Sequence, residues 1–466
     1  MEGMKNIENS ANQGLQGEWQ KLAEDYEKAP SFDELMEKIS ATDISVLTSQ
    51  NNTNKEEAKA EFFENPNLRK PNNRWDKLNG PKYQQNLETL TEVEKDVKTG
   101  FLSQPERALA ETVSGFITLK NELALSSYNY NNAENAEDKL VAAREHDRVN
   151  KEMYGLPDKD TFYSLLDQKI NSIDYDGLSP EDKAEYDEMI EMIGEREIPE
   201  KPAYRPKEET VKQFGEMIEM FYGNLFQHIP EGKEAFTTAE ARDIMNEAIA
   251  EEIGPETGWK VELNSKSGMA SVNPDKKTVK LPEKRNMGDY TRTALKAILA
   301  HELGTHAMRS IAYEEANIDA FKTSVFPGRE VSEEGIAKAM EQAIAGTYDD
   351  PTNTAPTRYI EIGLIEHKNT DFRQTFEIIK RLEHLTGGWN EDMCFENVQR
   401  AFRGTGELLN SKDLAYYNGN IEAWKYIEGH LDDPNLFDDL FLSGKTDPFD
   451  QDQQRLTYEM KTGSLA

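Results

Sequence analysis

The spacing of apolar residues predicts a chain built mainly from amphipathic helices. Between about residues 80 and 150, apolar residues recur every three to four positions in LETLTEVEKDV, ERALAETVSGFITLKNELAL and AEDKLVAAREHDRVNKEMYG, which places them on one helical face. Breaks containing proline, at GLPDKD and EREIPEKPAYRPKEE, separate further helices. One of these begins at TTAEARDIM, where Thr237 or Thr238 is the predicted N-cap and Glu240 lies nearby.

Alternation of apolar and polar residues predicts three short strands in the second half of the chain. They are WKVELN, ASVNP and TVKLPE, and the turn signals NSKSG and NPDKK separate them. A long helix, TRTALKAILAHELGTHAMRSIAYEEA, follows the strands directly, and SEEGIAKAMEQAIAG and DFRQTFEIIKRLEHL predict two more. The pattern therefore indicates a mainly helical α+β fold with a small sheet.

Composition and charge narrow the classes of partner. The 466 residues contain 54 Lys and Arg against 88 Asp and Glu, a formal charge of −34, and such a field repels nucleic acid and anionic lipid. No segment approaches the roughly 18 consecutive apolar residues of a membrane helix, and the N-terminal residues lack the apolar core of a secretory signal. The single cysteine, Cys394, cannot form an internal disulfide. We therefore expect a cytoplasmic protein with no nucleic-acid or membrane partner.

The segment HELGTH carries the residue types of a zinc peptidase. His301 and His306 flank Glu302 within a predicted helix that follows a strand, which is the layout of zincin-like metallopeptidases. Neutral imidazole is a preferred zinc ligand, and a catalytic site holds three protein ligands and keeps one position open. Glu302, beside the first ligand, is the predicted general base.

The spacing of the two histidines makes a structural demand. On a regular α-helix, ligands four residues apart share a face, whereas His301 and His306 are five apart and would stand roughly 140° from each other. A π-bulge adds one residue to a turn and restores the common face. We therefore predict a π-turn or a break near Gly304, where a glycine lowers the cost of the distortion.

A third ligand is expected from a separate downstream element. Glu333 and Glu334 open the predicted helix SEEGIAKAME, and spacing alone does not distinguish them. Gly335 next to them predicts a close approach of this helix to the helix that carries HELGTH. Arg309, three residues after His306, is expected to form a structural ion pair.

The sequence resembles the HExxxH metallopeptidase family typified by the microtubule-associated tyrosine carboxypeptidase, whose bacterial relatives are named after a QEGLA motif. The resemblance is carried by HELGTHAMR and EEGIA, together with NKEMYGLP, NTDFRQTF, RAFRG and SKDLAYYNG. It spans residues 85 to 430. It implies a zinc carboxypeptidase that removes a C-terminal residue, tyrosine in the eukaryotic member.

The resemblance also assigns roles to residues. It implies that Glu334, which precedes glycine in both EEGIA and QEGLA, is the third metal ligand beside His301 and His306. Glu333 stands where the bacterial motif has Gln. A carboxypeptidase must bind a terminal carboxylate, and the cations in the late motifs are Arg400, Arg403 and Lys412. Tyr416 is the expected phenol donor to the oxyanion.

These observations predict a Zn²⁺ metallocarboxypeptidase acting on a peptide or protein with a free C-terminus. The alternatives are an endopeptidase or aminopeptidase on the same zinc centre, and a non-catalytic regulatory or binding protein on the same fold. The predicted organisation has four parts: a loosely ordered acidic tail over residues 1–75, a helical subdomain over 76–235, a zinc-binding catalytic core over 236–345 and a C-terminal substrate-binding subdomain over 346–466.

Overall fold

Helices supply most of the structure, as the apolar spacing predicted. The computed structural model describes residues 29–46, 50–265, 270–284, 288–315, 326–349, 354–388, 390–441 and 446–462. The first five helices are α1 Phe32–Ala41, α2 Lys55–Glu64, α3 Gly80–Thr99, α4 Gln104–Asn132 and α5 Ala136–Tyr154. Helices α3, α4 and α5 pack side by side in chain order.

The two helices at the start of the described chain are ordered and packed. Ser31 caps α1 in a reciprocal capping box with Glu34, and Leu35 and Ile39 of α1 are fully buried in a core shared with α3 and α4. Phe62 of α2 is fully buried in an aromatic cluster with helices near residues 372–395. The expectation of a loosely ordered tail is therefore wrong for residues 29–46 and 50–75, because these helices bury apolar side chains. Residues 1–28 lie outside the described residues.

The middle of the chain leads from helices into two small sheets. Helices α6 Lys159–Asn171, α7 Pro180–Ile193, α8 Glu208–Phe221 and α9 Gly223–Phe226 come first, followed by β1 Ala235–Phe236 and α10 Thr238–Ala248. Thr237 is the N-cap of α10 and completes a capping box with Glu240. A π-turn, Ile249–Ile253, ends this helix.

The three predicted strands form one sheet. They are β2 Lys260–Asn264, β3 Ser271–Asn273 and β4 Thr278–Pro282, in the order β2-β4-β3. Strand β4 is parallel to β2, with Val261 opposite Val279, and antiparallel to β3. A second sheet was not predicted from the sequence. It has two short strands, β1 and β5 Tyr290–Thr291, which pair with each other.

One long helical segment follows β5 and carries the histidines. It comprises α11 Arg292–Ile298, a π-helix Leu299–Ala307 and α12 Met308–Glu315, and we call it the HELGTH helix. Leu295, Leu299 and Leu303 are fully buried in a core that also contains Val279 of β4. The apolar face of the HELGTH helix is therefore buried in the same core as the sheet.

The remaining helices close the fold around that segment. They are α13 Arg329–Ala345, α14 Ala355–Lys368, α15 Phe372–Thr386, α16 Glu391–Ala401, α17 Leu414–His430, α18 Leu436–Phe441 and α19 Gln451–Thr462. Short 3₁₀ turns occur at Tyr175–Gly177, Pro255–Thr257, Pro274–Lys276 and Ser411–Asp413. Residues of α13, α17 and α18 share the core of the HELGTH helix.

Gly335 permits a close helix approach, but to a different helix from the one predicted. A Cβ on Gly335 would lie 2.1 Å from the backbone carbonyl of Gly419 in α17, and a Cβ on Gly419 would lie 2.0 Å from the carbonyl oxygen of Val331. The two glycines thus let the backbones of α13 and α17 touch. The expectation that Gly335 serves contact with the HELGTH helix is wrong. Within the described residues, no helix has the length and apolar run needed to cross a bilayer.

Candidate metal centre

The helix through HELGTH is a π-helix over nine residues, Leu299–Ala307. The predicted departure from α-helical geometry at Gly304 is therefore confirmed. The amide of Met308 donates to the carbonyls of Leu303 and Thr305, and it bypasses that of Gly304. A π-turn of this kind leaves a helical carbonyl in need of another donor.

Two side chains support the π-turn. The hydroxyl of Tyr222, directly after α8, donates to the carbonyl oxygen of Gly304 at 2.9 Å. The ring of Tyr222 lies where any larger residue at position 304 would extend, since a Cβ there would be 3.0 Å from it. The hydroxyl of Thr305 donates to the carbonyl of Ala300, five residues back, at 3.2 Å. Both contacts stabilise the extra residue in the turn.

The π-turn brings the two imidazoles together. The ring centroids of His301 and His306 are 5.0 Å apart. One possible ligand atom from each of His301, Glu302 and His306 lies within 4.8 Å of the others, and this group could hold a metal ion. Because a regular α-helix would separate the two rings, the five-residue spacing is compatible with a shared ion only in this conformation.

Both histidines are held through the same ring nitrogen by carboxylates of α13. Nδ1 of His306 is 2.6 Å from Oε1 of Glu333 and makes a hydrogen bond with it. Nδ1 of His301 is 2.7 Å from Oε1 of Glu341, an ion-pair distance, although the angle is outside that of a regular hydrogen bond. The Nε2 atoms make no hydrogen bond with any described residue, so these are the nitrogens left for a ligand.

Carboxylates dominate the electrostatics of this centre. Burial raises the pKa of Glu302, and the charges of Glu334 and Glu341 raise it further, against the lowering effect of the two imidazoles. Burial lowers the pKa of His306, but Glu333 outweighs burial and raises it to about 9. A surplus of negative charge therefore surrounds the two imidazoles, as a cation site requires.

Two carboxylates of the centre have no partner among the described residues. Glu302 is 4% exposed, and neither it nor half-buried Glu334 makes a hydrogen bond or ion pair with a described residue. Glu334 lies outside the tight group formed by His301, Glu302 and His306, although its charge acts on Glu302 and His306. Glu333, by contrast, is occupied by His306 and by Arg329, whose Nε lies 3.1 Å from Oε2.

The late cations form a separate polar cluster. Nε and Nη2 of Arg400 donate to the two oxygens of buried Asp413 at 2.6 and 2.9 Å. Nη2 of Arg400 also lies 3.4 Å from the hydroxyl of Tyr416, whose ring packs against the guanidinium of Arg358 at 4.6 Å. Arg400 and Arg358 hold the pKa of Asp413 well below its usual range, although burial alone would raise it.

Arg403 and Lys412 differ from Arg400 in the partners that their charged groups contact. The guanidinium of Arg403 makes no hydrogen bond or ion pair with a described residue. Burial lowers its pKa, while Asp413 acts in the opposite sense. Lys412 makes an ion pair of 2.7 Å with Glu330, one turn before Glu334 on α13. Among the described residues, no hydrogen bond or ion pair joins Arg400, Arg403 or Tyr416 to the histidines.

Arg309 has the structural role that the sequence predicted. It is 1% exposed, donates to the carbonyls of Leu440 and Thr446, and lies 3.8 Å from Glu333. A second group that could hold a metal, His228 with Glu251 and Glu252, has two exposed glutamates. Its glutamates lie in the π-turn that ends α10, and His228 lies two residues after α9.

Comparison with known families agrees with this geometry. The sequence model of the microtubule-associated tyrosine carboxypeptidase family matches residues 156–464, well over half of the chain. The chain belongs to this family. No curated protein and no solved structure matches the chain. The matched region includes HELGTH, α13 and the Arg400–Asp413 cluster, so the family match covers every predicted site residue.

Sequence reasoning missed two residues of this carboxypeptidase-family centre. Glu341 has a sequence signal, since it lies seven residues after Glu334 and two helical turns return it to the same side of α13. Tyr222 has none, because it lies 82 residues before Gly304. Only the fold brings α8 to the HELGTH helix.

The Tyr222 contact generates a prediction. Tyr222→Phe keeps the ring but leaves the Gly304 carbonyl without its donor, so it should lower the free energy of unfolding by about 1 kcal/mol and weaken metal binding. Denaturant unfolding and metal titration measure the two effects. Exposed Tyr458 offers a matched control, and Tyr458→Phe should change neither quantity. Equal stability and metal affinity in Tyr222→Phe and wild type would contradict support of the π-turn by this hydroxyl.

Proposed function

We propose that this protein is a zinc metallocarboxypeptidase, which hydrolyses the C-terminal peptide bond of a peptide or protein. The observation that carries the proposal is the π-turn, which brings His301 and His306 together beside the carboxylate of Glu302. Membership of a family described as tyrosine carboxypeptidases supports the reaction class. The chain has a single cysteine, Cys394, which cannot form an internal disulfide, and this supports a reducing, cytoplasmic setting.

The residues present fit zinc better than a hard cation. Two imidazoles with carboxylate ligands form a donor set typical of catalytic zinc, whereas Mg²⁺ and Ca²⁺ prefer oxygen donors. His301, His306 and Glu334 would hold the ion. When bound, zinc would polarise the substrate carbonyl and acidify a water molecule.

Glu334 is our proposed third ligand in preference to Glu333. One carboxylate oxygen of Glu333 contacts His306 and the other contacts Arg329. These contacts compete with binding of an ion by Glu333. Glu334 is half-buried, has no protein partner among the described residues and acts electrostatically on His306.

Glu302 is the proposed general base. Its carboxylate would accept a proton from the attacking water and then donate it to the amine of the departing residue. Burial and neighbouring carboxylates raise its pKa, which makes Glu302 a stronger base than an exposed glutamate. The lack of a competing protein partner leaves both oxygens available.

Recognition of the terminal carboxylate is assigned to Arg403. Asp413, which is buried, occupies the Nε–Nη2 edge of the Arg400 guanidinium, and this existing pair argues against Arg400 as a direct anchor. Arg400 and Asp413 would instead hold Tyr416, the proposed oxyanion donor, in place. Lys412, in an ion pair with exposed Glu330, would be a second cation for the substrate, since exposed pairs exchange partners at little cost.

The family description names tyrosine as the residue removed, and release of a C-terminal tyrosine is therefore the first activity to test. The chain carries a formal charge of −34, which repels acidic substrates beyond the range of any local cation. We therefore expect faster cleavage of peptides with neutral or basic residues before the terminal tyrosine.

Replacement of the base separates catalysis from metal binding. Glu302→Gln should retain the fold and the zinc while lowering kcat by about 10² to 10⁴, because proton transfer loses its acceptor. Zinc content by elemental analysis and peptide digestion followed by mass spectrometry measure the two properties. His301→Ala should lose both zinc and activity. A Glu302→Gln variant as active as wild type would exclude the proposed mechanism.

Blocking the substrate terminus tests the exopeptidase assignment. Amidation of the peptide C-terminus should abolish cleavage, because Arg403 then has no carboxylate to bind. Arg403→Gln should raise KM for the free acid by about 10-fold or more, because the variant loses the charge-assisted hydrogen bond between Arg403 and the substrate carboxylate. Mass spectrometry distinguishes the alternatives. Loss of an N-terminal residue or internal cleavage of amidated peptide would indicate an aminopeptidase or endopeptidase, and no cleavage of any peptide would indicate a binding protein.

A further inference from the structure

Helix α13 contributes more to the metal centre than a single ligand. Glu333 and Glu341 are eight residues apart on this helix, and each contacts Nδ1 of a different histidine. The two contact distances are 2.6 and 2.7 Å. Glu334, the proposed third ligand, lies between them in sequence. One helix thus contacts both imidazoles on the same edge.

We infer that Glu333 and Glu341 are positioning residues, which fix the two imidazoles through Nδ1 and direct both Nε2 atoms to one metal ion. This inference rests on the proposed zinc centre. A carboxylate at Nδ1 favours the tautomer with its proton on Nδ1, and that tautomer leaves the lone pair of Nε2 available. It also restricts rotation of the ring, which lowers the entropy lost when the ion binds.

The two carboxylates are themselves held by cations of α13. Arg329, four residues before Glu333, donates through Nε to Oε2 at 3.1 Å. Lys338, three residues before Glu341, makes an ion pair with the oxygen that His301 does not contact. In both cases one carboxylate oxygen contacts the imidazole and the other contacts a cation. The repeated arrangement fixes the orientation of each carboxylate plane.

A purely structural ion pair is the competing explanation, and energetics argue against it. Glu333 is 9% exposed and Glu341 is 15% exposed at the side chain. Pairs removed from water to this degree contribute little net stability, because desolvation offsets the attraction. Each carboxylate contacts Nδ1 of its histidine. Metal-binding histidines commonly have a carboxylate on the ring nitrogen that does not bind the metal.

Zinc affinity tests the inference independently of catalysis. The dissociation constant is measured by competition with a chromophoric chelator, and circular dichroism and thermal unfolding of the metal-free protein monitor the fold. Glu341→Ala and Glu333→Ala should each weaken zinc binding by about 10 to 100-fold. Glu341→Gln keeps an acceptor oxygen and should bind more tightly than Glu341→Ala. Glu314, an exposed glutamate on α12 paired with Lys277, is the matched control, and Glu314→Gln should bind zinc as wild type does.

A paired variant addresses any loss of folding. Replacing both members of the ion pair, Lys338→Met with Glu341→Met, leaves neither Lys338 nor Glu341 as a single unpaired charge and should fold, yet it should show the same 10 to 100-fold loss of zinc affinity. Lys338→Met alone retains the His301 contact and should bind more tightly than the double variant. Wild-type affinity in the folded double variant, or equal affinities of Glu341→Gln and Glu341→Ala, would overturn the inference. Failure of the wild-type protein to bind zinc would instead overturn the proposed function.

Discussion

The extra residue between His301 and His306 is the constraint on which the centre depends. With the two histidines five positions apart, the imidazoles can share an ion only if the turn around Gly304 is a π-turn. That conformation leaves the Gly304 carbonyl in need of a donor, and Tyr222 supplies one at 2.9 Å. Tyr222 directly follows α8, and it shares one core with apolar residues of the HELGTH helix and with Val279 of β4, so helix, sheet and tyrosine together hold the turn.

The excess of negative charge is the second physical property of the centre. Glu302, Glu333, Glu334 and Glu341 surround two imidazoles. Among the described residues, the nearby cations Arg329 and Arg309 pair with Glu333, and Lys338 pairs with Glu341. Glu302 and Glu334 remain without a positive partner among the described residues. A divalent cation would compensate them. Glu333 raises the pKa of His306 to about 9 despite burial, so binding of a metal at His306 would be coupled to release of a proton.

The sequence was informative where the decisive interactions are local. The HELGTH spacing predicted a π-turn or a break, and strand alternation predicted β2, β3 and β4. TTAE predicted a cap at Thr237 or Thr238, and Thr237 is the cap. It was uninformative where partners are distant: Tyr222 meets Gly304, and Gly335 meets Gly419 in α17. The polar composition of residues 29–75 concealed Leu35 and Phe62, which are buried against later helices. The roles of Glu334, Arg403 and Tyr416 remain proposals.

Anomalous diffraction at the zinc absorption edge tests the central claim most directly. Crystals grown with zinc should give one peak at about 2.0 to 2.2 Å from Nε2 of His301, Nε2 of His306 and a carboxylate oxygen of Glu334. Glu333 and Glu341 should remain at the Nδ1 atoms. An absent peak, or an ion bound through Nδ1 or through Glu333, would contradict the account.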